Sequence, residues 1–160
     1  MFKKSDIIKI GDNMKKFKHI GAYGLIINND EIVLIKKNGG PYNGKLDLPG
    51  GTIEFGEKPE NALVRELNEE VGIEVIEYEL FDSNSIVFEW EHKGELESGH
   101  HIGIFYKVIK YNGKIKIEIE IDKINDDSNG ADFYKIDDLQ RNMLSDIAII
   151  EIEKLGYKLK

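Results

Sequence analysis

Three glutamates, Glu66, Glu69 and Glu70, are spaced three and four residues apart in a stretch that reads as a helix over residues 59–71. At about 100° per residue, their carboxylates share one arc of about 100° on the helix surface. Val64, Leu67 and Val71 form the neighbouring apolar stripe, and Ala62 leaves the carboxylates uncrowded. Like charges at these spacings cost roughly 0.2–0.5 kcal/mol per pair on an isolated helix. They also lie toward the C-terminal end, where the helix dipole disfavours anions. A hard divalent cation turns this liability into an oxygen-ligand site. Next to them stands Arg65, one of only two arginines among many lysines. A guanidinium fork grips carboxylates in a fixed plane, which lysine does not do. Gly50 and Gly51, upstream, let backbone come close to a metal or a phosphate. Taken singly, each feature has a plainer reading: a solvated acidic face, a surface ion pair, a turn.

The elements that must position these residues follow from periodicity and punctuation. Pro59 suits the first helical turn and Gly72 the C-terminal stop. Before the helix, residues 19–28 and 31–37 read as strands joined by a turn at Asn28-Asn29-Asp30. Residues 38–45 form a Gly/Asn/Pro loop, and residues 47–56 are a second Gly-rich stretch. After the helix come strands at 73–80 and 85–90, a charged loop at 91–99 and a strand at 101–110. Tyr111-Asn112-Gly113 signals a hairpin into residues 114–121, where isoleucine alternates with charged residues. An acidic loop at 122–132, a short strand at 133–136 and a helix at 145–155 capped by Ser145 complete the plan. Residues 1–18 are a polar lead-in, either a short helix or an added edge strand. The expected class is α/β (α+β), a mixed β-sheet sandwiched between helices in one domain over residues 1–160.

The formal net charge of −8 argues against nucleic-acid polymers as partners, because their binders need a basic stripe. A small nucleotide still suits an acidic protein when divalent cations bridge the two. The chain has no cysteine, which excludes disulfides, thiolate nucleophiles and cysteine–zinc sites. No stretch has the length of a signal peptide core or a membrane span, so the expected location is cytoplasmic.

From Gly51 the chain runs Gly51-x5-Glu57-x7-Arg65-Glu66-Leu67-x-Glu69-Glu70-x-Gly72-Ile73, preceded by Leu48-Pro49-Gly50. This pattern resembles the Nudix box of the MutT-like hydrolases, without departure. The resemblance implies that Glu66, Glu69, Glu70 and the Gly51 carbonyl hold one to three Mg²⁺ or Mn²⁺ ions, with Glu57 and Arg65 fixing the ligand geometry. It implies a metal-dependent pyrophosphohydrolase that cleaves a nucleoside diphosphate linked to another moiety, a nucleoside triphosphate being the least specific expectation. The water's proton would pass to Glu66, or to Asp127 in the acidic loop, with Asp126 as the alternative there. Family members often dimerise, and residues 115–121 offer an edge for that.

Substrate choice is less legible. Tyr23, Phe88, Trp90, His100, His101 and Tyr106 could stack on a base or meet phosphate, Tyr23, Trp90 and His101 being the selected substrate contacts. Core packing competes for the strand aromatics, and of the adjacent His100 and His101 at most one faces a given pocket. No proline follows Pro59, unlike many ADP-ribose hydrolases. The upstream coenzyme A pattern is also missing, and Trp90 stands where diadenosine polyphosphate hydrolases often carry tyrosine. The competing reading is a Nudix-fold nucleotide-sensing domain without catalysis; such domains often lose box carboxylates, and this chain keeps them all.

Overall fold

Residues 59–71 form the helix that their spacing predicts. Helix α1 (Pro59–Val71) opens on Pro59 and closes on Gly72, whose φ of 81° lets its N–H reach the carbonyls of Leu67 and Asn68. Ala62, Leu63, Leu67 and Val71 are buried along one side, so the acidic side is left at the edge of the fold. The computed structural model describes residues 14–115 and 128–160. Within them the strands are β1 (Lys15–Leu25), β2 (Ile27–Asn28), β3 (Glu31–Lys37), β4 (Leu46–Asp47), β5 (Gly50–Thr52), β6 (Glu74–His92), β7 (Glu95–Asn112) and β8 (Ser128–Lys135). Helix α2 (Asp146–Lys154) follows two short 3₁₀ turns.

The strands make two sheets. The first has the order β5-β1-β7-β6, with β1 parallel to β7 and the other pairs antiparallel. The second is antiparallel: β2 and β4 share one edge of β3, and β8 takes the other. Alternate residues of β1 and β3 supply two cores. Ala22, Val33 and Ile35 pack with Leu63, Leu67 and Val71 of α1. Tyr23, Leu25, Ile32 and Leu34 pack with Ile147, Ala148 and Ile152 of α2. The mixed α+β sandwich is therefore the one expected, each buried aliphatic side chain contributing about 1.5–3 kcal/mol.

Several boundaries differ. The expected strands 73–80 and 85–90 are one strand, β6. The charged loop 91–99 is mostly hairpin: Lys93 and Gly94 take φ of 52° and 79°, as a two-residue turn with left-handed backbone requires, and β7 starts at Glu95. Charge hid this strand, because Glu97 faces inward and is bonded by Lys15 at 2.8 Å. Residues 15–18 are the start of β1 and pair with β7, while β5 pairs only with residues 21–23 of that strand. Residues 128–132, expected in the acidic loop, pair with β3 as part of β8. The hairpin expected beyond Asn112 falls largely on residues 116–121, and Asp126 and Asp127 lie at 126–127, all outside the described residues.

Candidate active site

The loop from β5 into α1 is tied down by Arg65. Its Nε and Nη2 donate to the two oxygens of Glu57, each at 2.9 Å. Nη2 also donates to the Thr52 carbonyl at 2.9 Å, and Nη1 to Glu66 Oε1 at 2.9 Å. Glu69 Oε2 lies 3.6 Å from Nη1. One planar cation thus orients Glu57, Glu66 and the end of β5 together, which is the geometry a guanidinium provides and an ammonium does not. The Arg65 hydrogen bonds, joined by the Glu54 N–H, hold the Glu57 carboxyl down to about 2. Glu57 in turn raises the Arg65 guanidinium further above its ordinary range.

Glu70 points the other way, into the fold. It is 8% exposed, and its Oε1 accepts the Gly50 N–H at 3.1 Å. Glu69 is the open one, with 55% of its side chain exposed. A Cβ on residue 51 would stand 2.6 Å from Glu66 Cδ. Only glycine lets this carboxylate lie against the β5 backbone. The donors are all hard oxygens, which fits Mg²⁺ or Mn²⁺. Among the described residues, however, no three acidic or histidine side chains converge closely enough to hold an ion alone. Arg65 draws Glu66 toward the loop while the Gly50 N–H holds Glu70 inward.

Glu66 and Glu70 line one end of a cavity of about 370 Å³ that crosses the first sheet. Its floor holds a polar chain: His19 Nε2 is 3.1 Å from the Tyr23 hydroxyl, which is 2.7 Å from His101 Nε2. Burial first, then His19 and Lys37, push His101 down to about 4, so the ring is neutral at physiological pH. Burial also raises the Tyr23 phenol well above its usual value, with the charges of Asp47 and Glu70 adding to it. The short O···N contact fits a phenol donating to His101, with His19 donating to the phenol oxygen.

Tyr23 and His101 therefore share the cavity with the box carboxylates, whereas Trp90 does not line it. Trp90 stacks on His92 at 4.7 Å and faces a neighbouring groove with Arg141. His100 lies on the opposite face of β7 from His101, and Tyr106 is buried against α1 in the core. Sequence reasoning missed Phe17, Tyr42 and Asp47 in the cavity wall. Asp47 had a weak signal, a carboxylate just before Leu48-Pro49-Gly50. It accepts from the Leu48 N–H at 2.8 Å and from Ser145 Oγ at 2.6 Å. Ser145 caps α2 through the Ala148 N–H, so Asp47 joins the cavity to that helix.

A family model described as the NUDIX domain matches residues 17–150. The chain belongs to the Nudix family. The match runs from β1 into α2 and so takes in the carboxylate helix and the cavity. Among curated relatives, the chain is 29% identical over 140 residues to an ADP-ribose pyrophosphatase of Methanocaldococcus jannaschii, covering 84% of this chain and 75% of that one. It is 44% identical over 79 residues to an 8-oxo-dGTP diphosphatase of Escherichia coli, covering 43% of this chain and 61% of that one. Among solved structures, a MutT NUDIX hydrolase from Burkholderia pseudomallei aligns with a TM-score of 0.66 at 26% identity, over 87% of this chain and 98% of the other. This Nudix protein is a MutT-like hydrolase with a mixed sheet between two helices.

Proposed function

We propose that this Nudix hydrolase cleaves the phosphate anhydride of a nucleoside diphosphate linked to another group, with a nucleoside triphosphate as the leading substrate. One observation carries the reading: Glu66 and Glu70 stand at the mouth of a nucleotide-sized cavity, beside an Arg65–Glu57 clamp that fixes their loop. Glu66, Glu69, Glu70 and the Gly51 carbonyl are the groups that would hold a divalent cation. When bound, such a cation neutralises phosphate oxygens and acidifies water.

The chain's own residues do the rest. Arg65 donates to Glu66 Oε1 and so orients the carboxylate that would take the proton of the attacking water. The water oxygen attacks phosphorus, the bridging P–O bond breaks, and its electron pair leaves with the departing phosphate. The products are a nucleoside monophosphate and pyrophosphate, or a phosphorylated fragment. Asp127 is the other candidate base, and it lies outside the described residues. Asp127→Asn should slow turnover by about 10²–10⁴-fold if it takes that proton; activity within a few-fold of wild type leaves the role to Glu66.

The lack of a proline after Pro59 weighs against ADP-ribose, and the archaeal relative of that name weighs for it. The test is phosphate-coupled turnover over nucleoside triphosphates, oxidised nucleotides, dinucleoside polyphosphates, nucleotide sugars and ADP-ribose, with Mg²⁺ and with Mn²⁺. Turnover of one class, lost in chelator and in Glu69→Gln, is the expected result. Binding of a nucleotide with hydrolysis of none would favour the sensing domain.

A further inference from the structure

The face of the first sheet turned away from the cavity is covered by α1 at one end and open at the other. The open end spans β1, β7 and β6, and the strand registers set its rows. Lys16, Ser98 and Glu89 form one row, Lys18, His100 and Val87 the next, and Ile20, Ile102 and Ser85 a third. Leu96 continues the middle of the patch beyond the first row. Ile20, Val87 and Leu96 are 45%, 69% and 51% exposed, and Ile102 is partly buried. A groove of about 490 Å³ runs along the first two rows. The charges are sorted by edge, with Lys16 and Lys18 on β1 and Glu89 and Glu91 on β6. Among the described residues none of these four has an ion-pair partner.

We propose that this open face joins a second copy of the chain through a two-fold axis lying along β7. Charge selects the axis. A half-turn about a line parallel to β7 keeps each row at its height and exchanges the edges, so β1 of one copy lies over β6 of the other. Lys16 then faces Glu89 of the partner subunit, and the pair occurs twice in the dimer. Lys18 lays its aliphatic stem on Val87 of the partner subunit, while Leu96 and Ile102 meet their own counterparts on the axis. A half-turn about a line across the strands would instead stack lysine on lysine and glutamate on glutamate. The arrangement is isologous and closed, and it is the aligned packing of two sheets, about 10 Å apart with strands within about 30°. Single exposed apolar residues are ordinary on any surface. A contiguous patch whose opposite charges sit on opposite edges is instead what a self-complementary contact requires. Three strands from Leu96 to Ile102 make a plate of about 14 Å by about 23 Å. That is at the low end of specific interfaces, so association should depend on concentration. The cavity lies on the other face of the sheet, so this pairing holds whether or not the hydrolase reading does.

The test is sedimentation velocity of the full chain over a range of concentrations. The wild type should pass from monomer to dimer as concentration rises. Lys16→Glu and Glu89→Lys should each set like charges opposite one another at two points and weaken dimerisation about tenfold or more. The double variant reverses both partners and should regain the wild-type association, a rescue that follows only if β1 lies over β6 of the partner. The chain has no cysteine, so Ser98→Cys introduces a lone thiol on the axis. A short bismaleimide should link that thiol to its counterpart, and the link should be lost when Lys16→Glu is added. All variants are exposed surface changes, and far-UV circular dichroism confirms their fold. A wild type that stays monomeric at its highest soluble concentration overturns the proposal and leaves the face to another occupant. A dimer that neither charge reversal weakens, or a folded double variant that stays as weak as the single ones, overturns it too.

Discussion

Arg65 makes four hydrogen bonds to three partners, and the distinction between arginine and lysine is sharpest at such a residue. Arg65→Lys keeps the charge and loses the fork. Glu57 and the Thr52 carbonyl would then have no shared donor, and Glu66 would lose the Nη1 hydrogen bond that orients it. Turnover should fall about 10–100-fold, the usual cost of losing a group that orients ligands, with the fold intact by circular dichroism; a Lys variant at full activity would show that the clamp is dispensable. The box residues were legible in the sequence because a helix converts spacing directly into direction. Glu66, Glu69, Glu70 and Arg65 needed no knowledge of the rest of the chain. Phe17, Tyr42 and Asp47 come to the cavity from β1, a loop and β4, so only the sheet topology unites them. Tyr23 and His101 were identified for their chemistry, and it is the parallel pairing of β1 with β7 that makes them neighbours.

At the scale of elements, the seat of α2 on β6 contains a buried acid. Glu151 is fully buried, and neither of its oxygens, nor Asp82 Oδ2, has a conventional donor. Asp82 Oδ1 is paired with Lys154 at 2.6 Å, and Asn84 is the other polar neighbour. Two facing carboxyl groups satisfy each other when they share one proton. Burial first, and then the Asp82 charge, push Glu151 up to about 7 from an ordinary value of 4.5. Between those values the folded state holds a proton that the unfolded chain has released, so stability falls as pH rises through that window. Glu151→Gln removes the titration and keeps a donor for Asp82. The difference in melting temperature between variant and wild type should widen in the variant's favour from about pH 5 to pH 8, and a constant difference would rule out the shared proton. Sequence periodicity located α2 and its Ser145 cap but could not mark Glu151 as buried, since a glutamate on a helix is ordinarily a solvated one. It likewise missed the β6–β7 hairpin, where inward Glu97 broke the apolar alternation that identifies a strand.

For the whole molecule, the charge of −8 and the cavity of about 370 Å³ select in the same direction. The volume matches one small ligand, and the field opposes a polyanion. A single-stranded oligonucleotide at physiological salt should therefore not compete with a nucleoside triphosphate in steady-state inhibition; competition at comparable phosphate concentration would contradict this. Among the described residues no helix is long and apolar enough to cross a membrane. The parallel pairing of β1 with β7 has a consequence for the order of assembly. It brings Lys15 against Glu97, 82 positions along the chain. During synthesis at about 5–20 residues per second, the carboxylate helix is made seconds before the strand that carries His101 and Gly99. Closing so long a loop is also the slow kind of contact to form. A chain halted at Gly94 would carry every residue of the box and none of the cavity floor that β7 supplies, so ribosome-bound intermediates should acquire nucleotide binding in a single late step.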